Sequence, residues 1–227
     1  MTRARNAQIA GATFLAYIVT GVLDVALFAK VAMGSDAASK LANLAQHPTT
    51  VRLCALLELL TFFEAAALGV TLYALTRDED IDLALFAFGC RLAEGVLGAT
   101  AAVGTMRLIS VADAAAQARG SGDLQAARAL GASMLAQGGS SGTIGAICFA
   151  VGSAIFAYLF LRSRSIPVGL AALGVAASIL LVVALPVQVA GLLPRALVWP
   201  IWMPMLAFEV TLAFWMLIKG VDAPTPR

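Results

Sequence analysis

The segment Phe88-Gly89-Cys90-Arg91-Leu92-Ala93-Glu94-Gly95-Val96-Leu97-Gly98 places two charged side chains inside an apolar run that is long enough to cross a membrane. Residues three positions apart lie on the same face of an α-helix, so Arg91 and Glu94 can form an ion pair within one helix. A paired charge of this kind does not have to face lipid. The segment therefore predicts a transmembrane helix whose charged face packs against other helices.

The whole chain has the composition of a membrane protein. Of its 227 residues, 61% are hydrophobic and 12% are charged, and the mean hydropathy is +0.91, which is far from the soluble norm. We predict an all-α integral membrane bundle of six transmembrane helices, with short interfacial helices in the first and third connections. The net charge of +2 is too small to indicate nucleic-acid binding, so the lipid bilayer is the expected partner. The sequence leaves the oligomeric state open.

Six apolar segments divide this single transmembrane domain, residues 1–227. The predicted spans are residues 9–31, 51–75, 81–109, 138–161, 166–193 and 198–218. Residues 34–46 have the pattern of a short amphipathic helix, which is typical of the membrane interface. Residues 110–137 predict two short surface helices around Gly120-Ser121-Gly122.

Basic residues at the span ends indicate the orientation of the chain. An even number of spans puts both termini on one side of the membrane, and cytoplasmic loops carry an excess of lysine and arginine. The residues that place this side in the cytoplasm are Arg3, Arg5, Arg162, Arg164, Lys219 and Arg227. We therefore expect a multi-pass protein of the inner (plasma) membrane with both termini in the cytoplasm.

Away from the end turns of the predicted spans, the sequence places five acids and one base inside them. Arg91, Glu94, Glu64 and Glu209 are the main candidates for a ligand or proton site. Asp24 and Glu58 lie nearer an interface, are expected to be solvated, and are secondary candidates. A charge at the centre of a span costs about 2.5 to 3.5 kcal/mol on insertion scales, so the excess acids need pairing or protonation. Such a cluster can form a proton relay or a cation site, and it can equally hold helices together by hydrogen bonds.

The sequence predicts no metal, no cofactor and no catalytic residue. His47 has no second histidine or cysteine near it, and Cys54, Cys90 and Cys148 lack paired spacing. We interpret the three cysteines as free, buried thiols. Phosphate-binding glycine loops and nucleophile motifs do not occur in the sequence. These features favour a non-enzymatic protein.

Three classes of function are compatible with the intramembrane charges. In the first, the protein binds or moves a small solute, a lipid or a proton through a polar interior around Arg91, Glu94 and Glu209. In the second, it is a structural or regulatory membrane subunit, and the ion pair only fixes helix packing. In the third, it is an intramembrane enzyme that modifies a lipid, because two carboxyl groups with different environments can supply an acid and a base.

Several segments in order resemble a family of bacterial six-span membrane proteins known as domain of unknown function four-three-eight-six. They are Gly34-Ser35-Asp36-Ala37-Ala38 with Ala42-Asn43, Leu72-Tyr73-Ala74-Leu75, Arg91-Leu92-Ala93-Glu94, Arg162-Ser163-Arg164-Ser165-Ile166-Pro167, and Glu209-Val210-Thr211-Leu212-Ala213-Phe214-Trp215 with Lys219-Gly220. The resemblance covers most of the chain. It implies six helices and brings no activity with it. The alanine-rich residues 110–137 depart from the family pattern.

Overall fold

The protein is described by a computed structural model over residues 2–222, apart from the side chains of residues 137–141 and 195. This part of the chain is helical and contains seven α-helices. They are α1 (Arg3–Val31), α2 (Ala37–Gln46), α3 (Pro48–Thr76), α4 (Ile81–Gln117), α5 (Ser121–Ser163), α6 (Val168–Val189) and α7 (Met203–Ile218). Two short 3₁₀ turns, Arg195–Leu197 and Pro200–Trp202, lie between α6 and α7.

Six helical segments within residues 2–222 are long and apolar enough to cross a membrane. They are Arg3–Val31, Pro48–Thr76, Ile81–Gln117, Gly142–Ser163, Val168–Val189 and Pro200–Ile218. The predicted all-α fold with six spans is therefore confirmed, and the protein is a multi-pass membrane protein. The predicted fifth span ran to residue 193, whereas α6 ends at Val189. The predicted fourth span began in residues 138–141, whose side chains lie outside the described part of the structure.

The short helix predicted in the first connection is α2, and its sequence explains where it begins. Gly34 has a φ of +153°, a conformation that is open to glycine and strained for other residues. Asp36 then caps α2: its carboxylate accepts from the Ser39 backbone N–H at 2.7 Å, and the Ser39 hydroxyl accepts from the Asp36 backbone N–H at 3.2 Å. Asn43 donates from Nδ2 to the Met33 carbonyl at 2.6 Å and closes the turn.

The third connection is helical on both sides of a short break, but its helices are continuous with the spans. We expected separate surface helices in residues 110–137. Instead α4 continues to Gln117 and α5 begins at Ser121. Alanine has the highest helix propensity, and the first glycine after the predicted end of span three that could interrupt α4 is Gly120.

The described residues form two compact units. The first consists of residues 2–17, 63–95 and 143–222. Its core contains large side chains from α5, α6 and α7, including Phe156, Phe160, Leu181, Met205 and Met216, each at most 2% exposed. This unit contains Arg91, Glu94, Glu64 and Glu209.

The second unit consists of residues 18–62 and 96–142. Leu41 and Leu44 of α2 are buried in its core, with Val51 of α3 and Leu108 and Ile109 of α4. The apolar side of α2 thus packs on protein within this unit. The expectation of a single domain stays a prediction.

Candidate functional site

The charged pair that the sequence places in span three lies in the interior of the first unit. Arg91 is 1% exposed and Glu94 is 8% exposed. Their Nη1 and Oε2 atoms are 3.0 Å apart, so the predicted ion pair within α4 is confirmed. Leu92, on the opposite face, is 38% exposed.

The ion pair leaves the hydrogen-bonding capacity of Arg91 unused. The contact with Glu94 is close, but it lacks the alignment of a hydrogen bond, and none of the three guanidinium nitrogens has a hydrogen-bond partner among the described residues. An arginine guanidinium carries five N–H donors. Arg91 therefore offers donors to any small polar group that can reach it.

Two aromatic rings cover the guanidinium. The Arg91 Cζ atom lies 5.2 Å from the centre of the Tyr17 ring and 5.1 Å from that of the Phe149 ring. Contacts of this length are cation–π interactions, which compensate part of the lost hydration of a buried cation. Tyr17 also donates its hydroxyl to Oε1 of Glu94. The two rings thus contact the charged group of Arg91, and Tyr17 also binds Glu94, the ion-pair partner of Arg91.

Near Arg91, glycines allow the neighbouring helices to come close to the backbone of α4. A Cβ atom on Gly152 of α5 would lie 3.1 Å from the Ala87 carbonyl oxygen and 3.1 Å from Cys90 Cβ. A Cβ atom on Gly69 of α3 would lie 3.0 Å from the Phe88 ring and 3.2 Å from Arg91 Cβ. Small residues allow such close approach of membrane helices. They fix the position of α4 and hence of Arg91.

Glu209 of α7 reaches the same place as Arg91, at the wall of a small cavity. Arg91 and Glu209 both line this cavity, which offers about 10 Å³ to the centre of a water molecule, close to the lower limit for one water. The other walls are mainly apolar and include Phe14, Phe156 and Phe208. Glu209 is 6% exposed, and its Oε1 atom has no hydrogen-bond partner among the described residues.

The fourth main candidate, Glu64, is buried in α3 of the same unit, with 9% of its surface exposed. It does not line the cavity between Arg91 and Glu209. The structure thus brings together Arg91, Glu94 and Glu209, and it buries Glu64 without joining it to that cavity.

The two secondary candidates lie in the second unit, and both are half-buried. Glu58 accepts a hydrogen bond from the Thr105 hydroxyl at 3.0 Å, and Asp24 lies close to the Cys54 thiol. The expected solvation of both acids stays a prediction. All three cysteines are free thiols: Cys54 is buried, and the other two are half-buried.

Two residues that contact the Arg91–Glu94 ion pair, Tyr17 and Phe149, were not identified from the sequence. Tyr17 carried a signal, since a hydroxyl in the middle of an apolar span needs a hydrogen-bond partner. Phe149 carried none, because a phenylalanine in a span is ordinary. Their contacts join α1, α4 and α5, and such long-range pairings cannot be read from helical periodicity.

The segment from Arg162 to Pro167 also makes polar contacts within the first unit. Arg162 pairs with Glu79 at 2.7 Å and with Asp80 at 3.3 Å. The buried Ser163 and Ser165 hydroxyls are hydrogen-bonded to each other at 2.8 Å, and Pro167 is the N-cap residue of α6. These contacts give the arginine-serine segment a structural role.

The comparison with known families agrees with these features. The model of a family described as "Domain of unknown function (DUF4386)" matches residues 9–220. No curated protein and no solved structure matches the chain.

Proposed function

Because the chain belongs to the DUF4386 family, whose description assigns no activity, we propose a function from the site alone: this multi-pass membrane protein binds and releases a proton at Glu209, beside the Arg91–Glu94 ion pair. The observation that carries the proposal is the cavity of about 10 Å³ between Arg91 and Glu209, two buried side chains with unused polar atoms.

The charges of the cluster favour a proton as the occupant. Arg91 contributes +1 and Glu94 and Glu209 contribute −1 each, so the fully ionised cluster has a net charge of −1. An uncompensated charge in a protein interior costs several kcal/mol. One proton on Glu209 removes that net charge, whereas the Arg91–Glu94 pair is already neutral.

The size of the cavity also favours a proton over an organic solute or a lipid. Sites for small organic ligands are about 300 to 1,000 Å³, and this cavity has room for about one water molecule. A water in it could accept from Arg91 and donate to Glu209, which would connect the carboxyl group to the donors around it. The cavity therefore gives no support here to a lipid substrate or to an enzyme reaction on one.

The proposal is tested with the full chain in proteoliposomes that contain a pH-sensitive dye. Under an imposed membrane potential, we expect proton flux that Glu209→Gln reduces at least about tenfold, because glutamine cannot exchange a proton. Asp123→Asn is the matched control, since Asp123 is an exposed acid outside the cluster, and it should leave the flux unchanged. Flux that is the same in Glu209→Gln and wild type would refute the proposal.

Proton binding is tested separately from proton movement by infrared difference spectra recorded across a pH titration. The C=O bands of protonated carboxyl groups in the wild type should include one component that is absent from Glu209→Gln. Identical carboxyl bands in both proteins would assign the proton to another group.

A structural or regulatory subunit is the second candidate, and the ring contacts of Arg91 favour it. In that case Glu209→Gln changes neither flux nor spectrum, and replacing Arg91 and Glu94 together by leucine leaves partner pull-down intact. The two proposals thus predict opposite results for the same variant.

A further inference from the structure

A second feature of the first unit is an open groove of about 520 Å³ along the outer side of α4. Its lining from α4 begins at Asp82 and ends at Ala93, with spacings of three and one that follow one helix face. The eleven steps from Asp82 to Ala93 rise about 16 Å along the helix at 1.5 Å per residue. This is about half of the roughly 30 Å hydrocarbon thickness, so the groove has the length of one leaflet.

The walls of the groove suit a hydrocarbon chain. Leu85 and Phe86 are 55% and 59% exposed and form large apolar walls. The rest of the lining has small side chains, and a Cβ atom on Gly89 would meet nothing within 4 Å. The groove is therefore open space, and it lies beside an apolar face of a membrane-spanning helix.

One end of the groove carries an acid that forms no ion pair with the described residues. Asp82 lies in the first turn of α4, directly after the charged turn that ends span two. In that turn Asp78 lies 3.6 Å from Arg3, and Glu79 and Asp80 both pair with Arg162. Within the described residues, Asp82 is the acid of this segment that lacks such a partner. Its exposed carboxylate, at the first turn of this span, is complementary to a cation.

We propose that this groove binds one phospholipid with a primary ammonium headgroup, whose acyl chain lies along α4 and whose ammonium group pairs with Asp82. The apolar groove and the unpaired carboxylate fit the two parts of such a lipid. Neither feature belongs to the Arg91–Glu209 cavity, so this site is independent of the proposed proton site.

The test uses the full chain in vesicles with equal amounts of phosphatidylethanolamine and phosphatidylglycerol. After gentle extraction, native mass spectrometry counts the lipids that remain bound. We expect the wild type to retain phosphatidylethanolamine preferentially. Asp82→Asn should lower the retained ratio of the two lipids about two- to fivefold, the effect of one exposed ion pair. Asp123→Asn, which changes an acid in the first turn of α5, should leave the ratio unchanged.

A second variant tests the groove itself. Gly89→Phe fills open space and should remove the retained lipid, while Gly98→Phe on the same helix, where a Cβ atom also meets nothing within 4 Å, should not. Cys90 and Cys148 line the groove, so bound lipid should slow their alkylation by a membrane-soluble maleimide. Equal retention of both lipids by the wild type, an unchanged ratio in Asp82→Asn, or undiminished retention in Gly89→Phe would each overturn the proposal.

Discussion

Arg91 keeps a full positive charge in the interior of the first unit by combining one carboxylate with two aromatic rings. Each contact replaces part of the water that the guanidinium gives up. Removing the whole charged pair is therefore a different perturbation from removing one member, because a single removal leaves the other charge buried without compensation.

We predict that Arg91→Leu destabilises the protein by about 3 to 5 kcal/mol, because it leaves Glu94 buried and unpaired. The double variant Arg91→Leu with Glu94→Leu should recover most of that loss. Equilibrium unfolding in mixed detergent micelles measures both, and the double-mutant cycle isolates the coupling. Additive effects of the two single changes would contradict the paired geometry.

For single residues, helical spacing was sufficient to predict the Arg91–Glu94 pair, because both residues lie on one helix. The rings of Tyr17 and Phe149 could not be predicted, since they come from other helices. Glu58 shows the same limit, because its hydrogen-bond partner Thr105 lies on another helix and reaches it through tertiary packing. The sequence identified acids in the spans, but not which of them share a cavity.

The helices of the first unit depend on glycines for their separation. Gly152 allows α5 to approach the backbone of α4 within contact distance of Ala87 and Cys90. Gly142 lies on the same helix, and a Cβ atom there would meet nothing within 4 Å. The two positions form a matched pair for testing how tightly α5 packs.

We expect Gly152→Val to destabilise the protein by about 1 to 3 kcal/mol, the cost of inserting methyl groups into a packed contact. Gly142→Val should change stability by less than about 0.5 kcal/mol, since it fills open space. Thermal unfolding in detergent compares the two. Equal effects would show that α4 and α5 are not in close contact at Gly152.

The stability of the first turn of α2 should depend on pH, because the Asp36 carboxyl group caps it. The hydrogen bond from the Ser39 backbone N–H holds the pKa of the Asp36 carboxyl below its ordinary value. A carboxyl group whose pKa is lowered on folding adds stability above its unfolded pKa, and this is lost as the pH falls through the folded pKa. Exchange of the Ser39 amide hydrogen should accelerate over that acidic range.

The control for the cap is Asp36→Asn, because asparagine caps helices well and does not titrate. In this variant, the exchange rate corrected for intrinsic chemistry should not show the acid-dependent increase. The same increase in both proteins would mean that another group controls the end of α2.

Helix types and approximate span limits were predictable from apolar runs, turn residues and the Asp36 cap. The continuity of α4 and α5 beyond the predicted spans was not predictable. Alanine-rich, moderately polar sequence fits both a surface helix and the extension of a span, and the distinction depends on whether glycine or proline interrupts it. In α4 neither occurs between Gly104 and Gly120.

For the molecule as a whole, six spans require both termini on one side of the membrane. We predict that green fluorescent protein fused at the C-terminus fluoresces, since it folds in the cytoplasm. Alkaline phosphatase inserted at residues 118–120 should be active, because that break follows an odd number of spans. An inactive insertion together with a dark C-terminal fusion would indicate the opposite orientation.

The break between α4 and α5 has a practical use. At 1.5 Å per residue, the 37 residues of α4 and the 43 residues of α5 measure about 55 Å and about 64 Å, and both exceed the roughly 30 Å hydrocarbon layer. Only three residues, Ala118, Arg119 and Gly120, separate them. A rigid helical protein inserted there in phase with both helices would give this 23.4 kDa chain a fiducial mark outside the micelle, from which electron cryomicroscopy could align its particles.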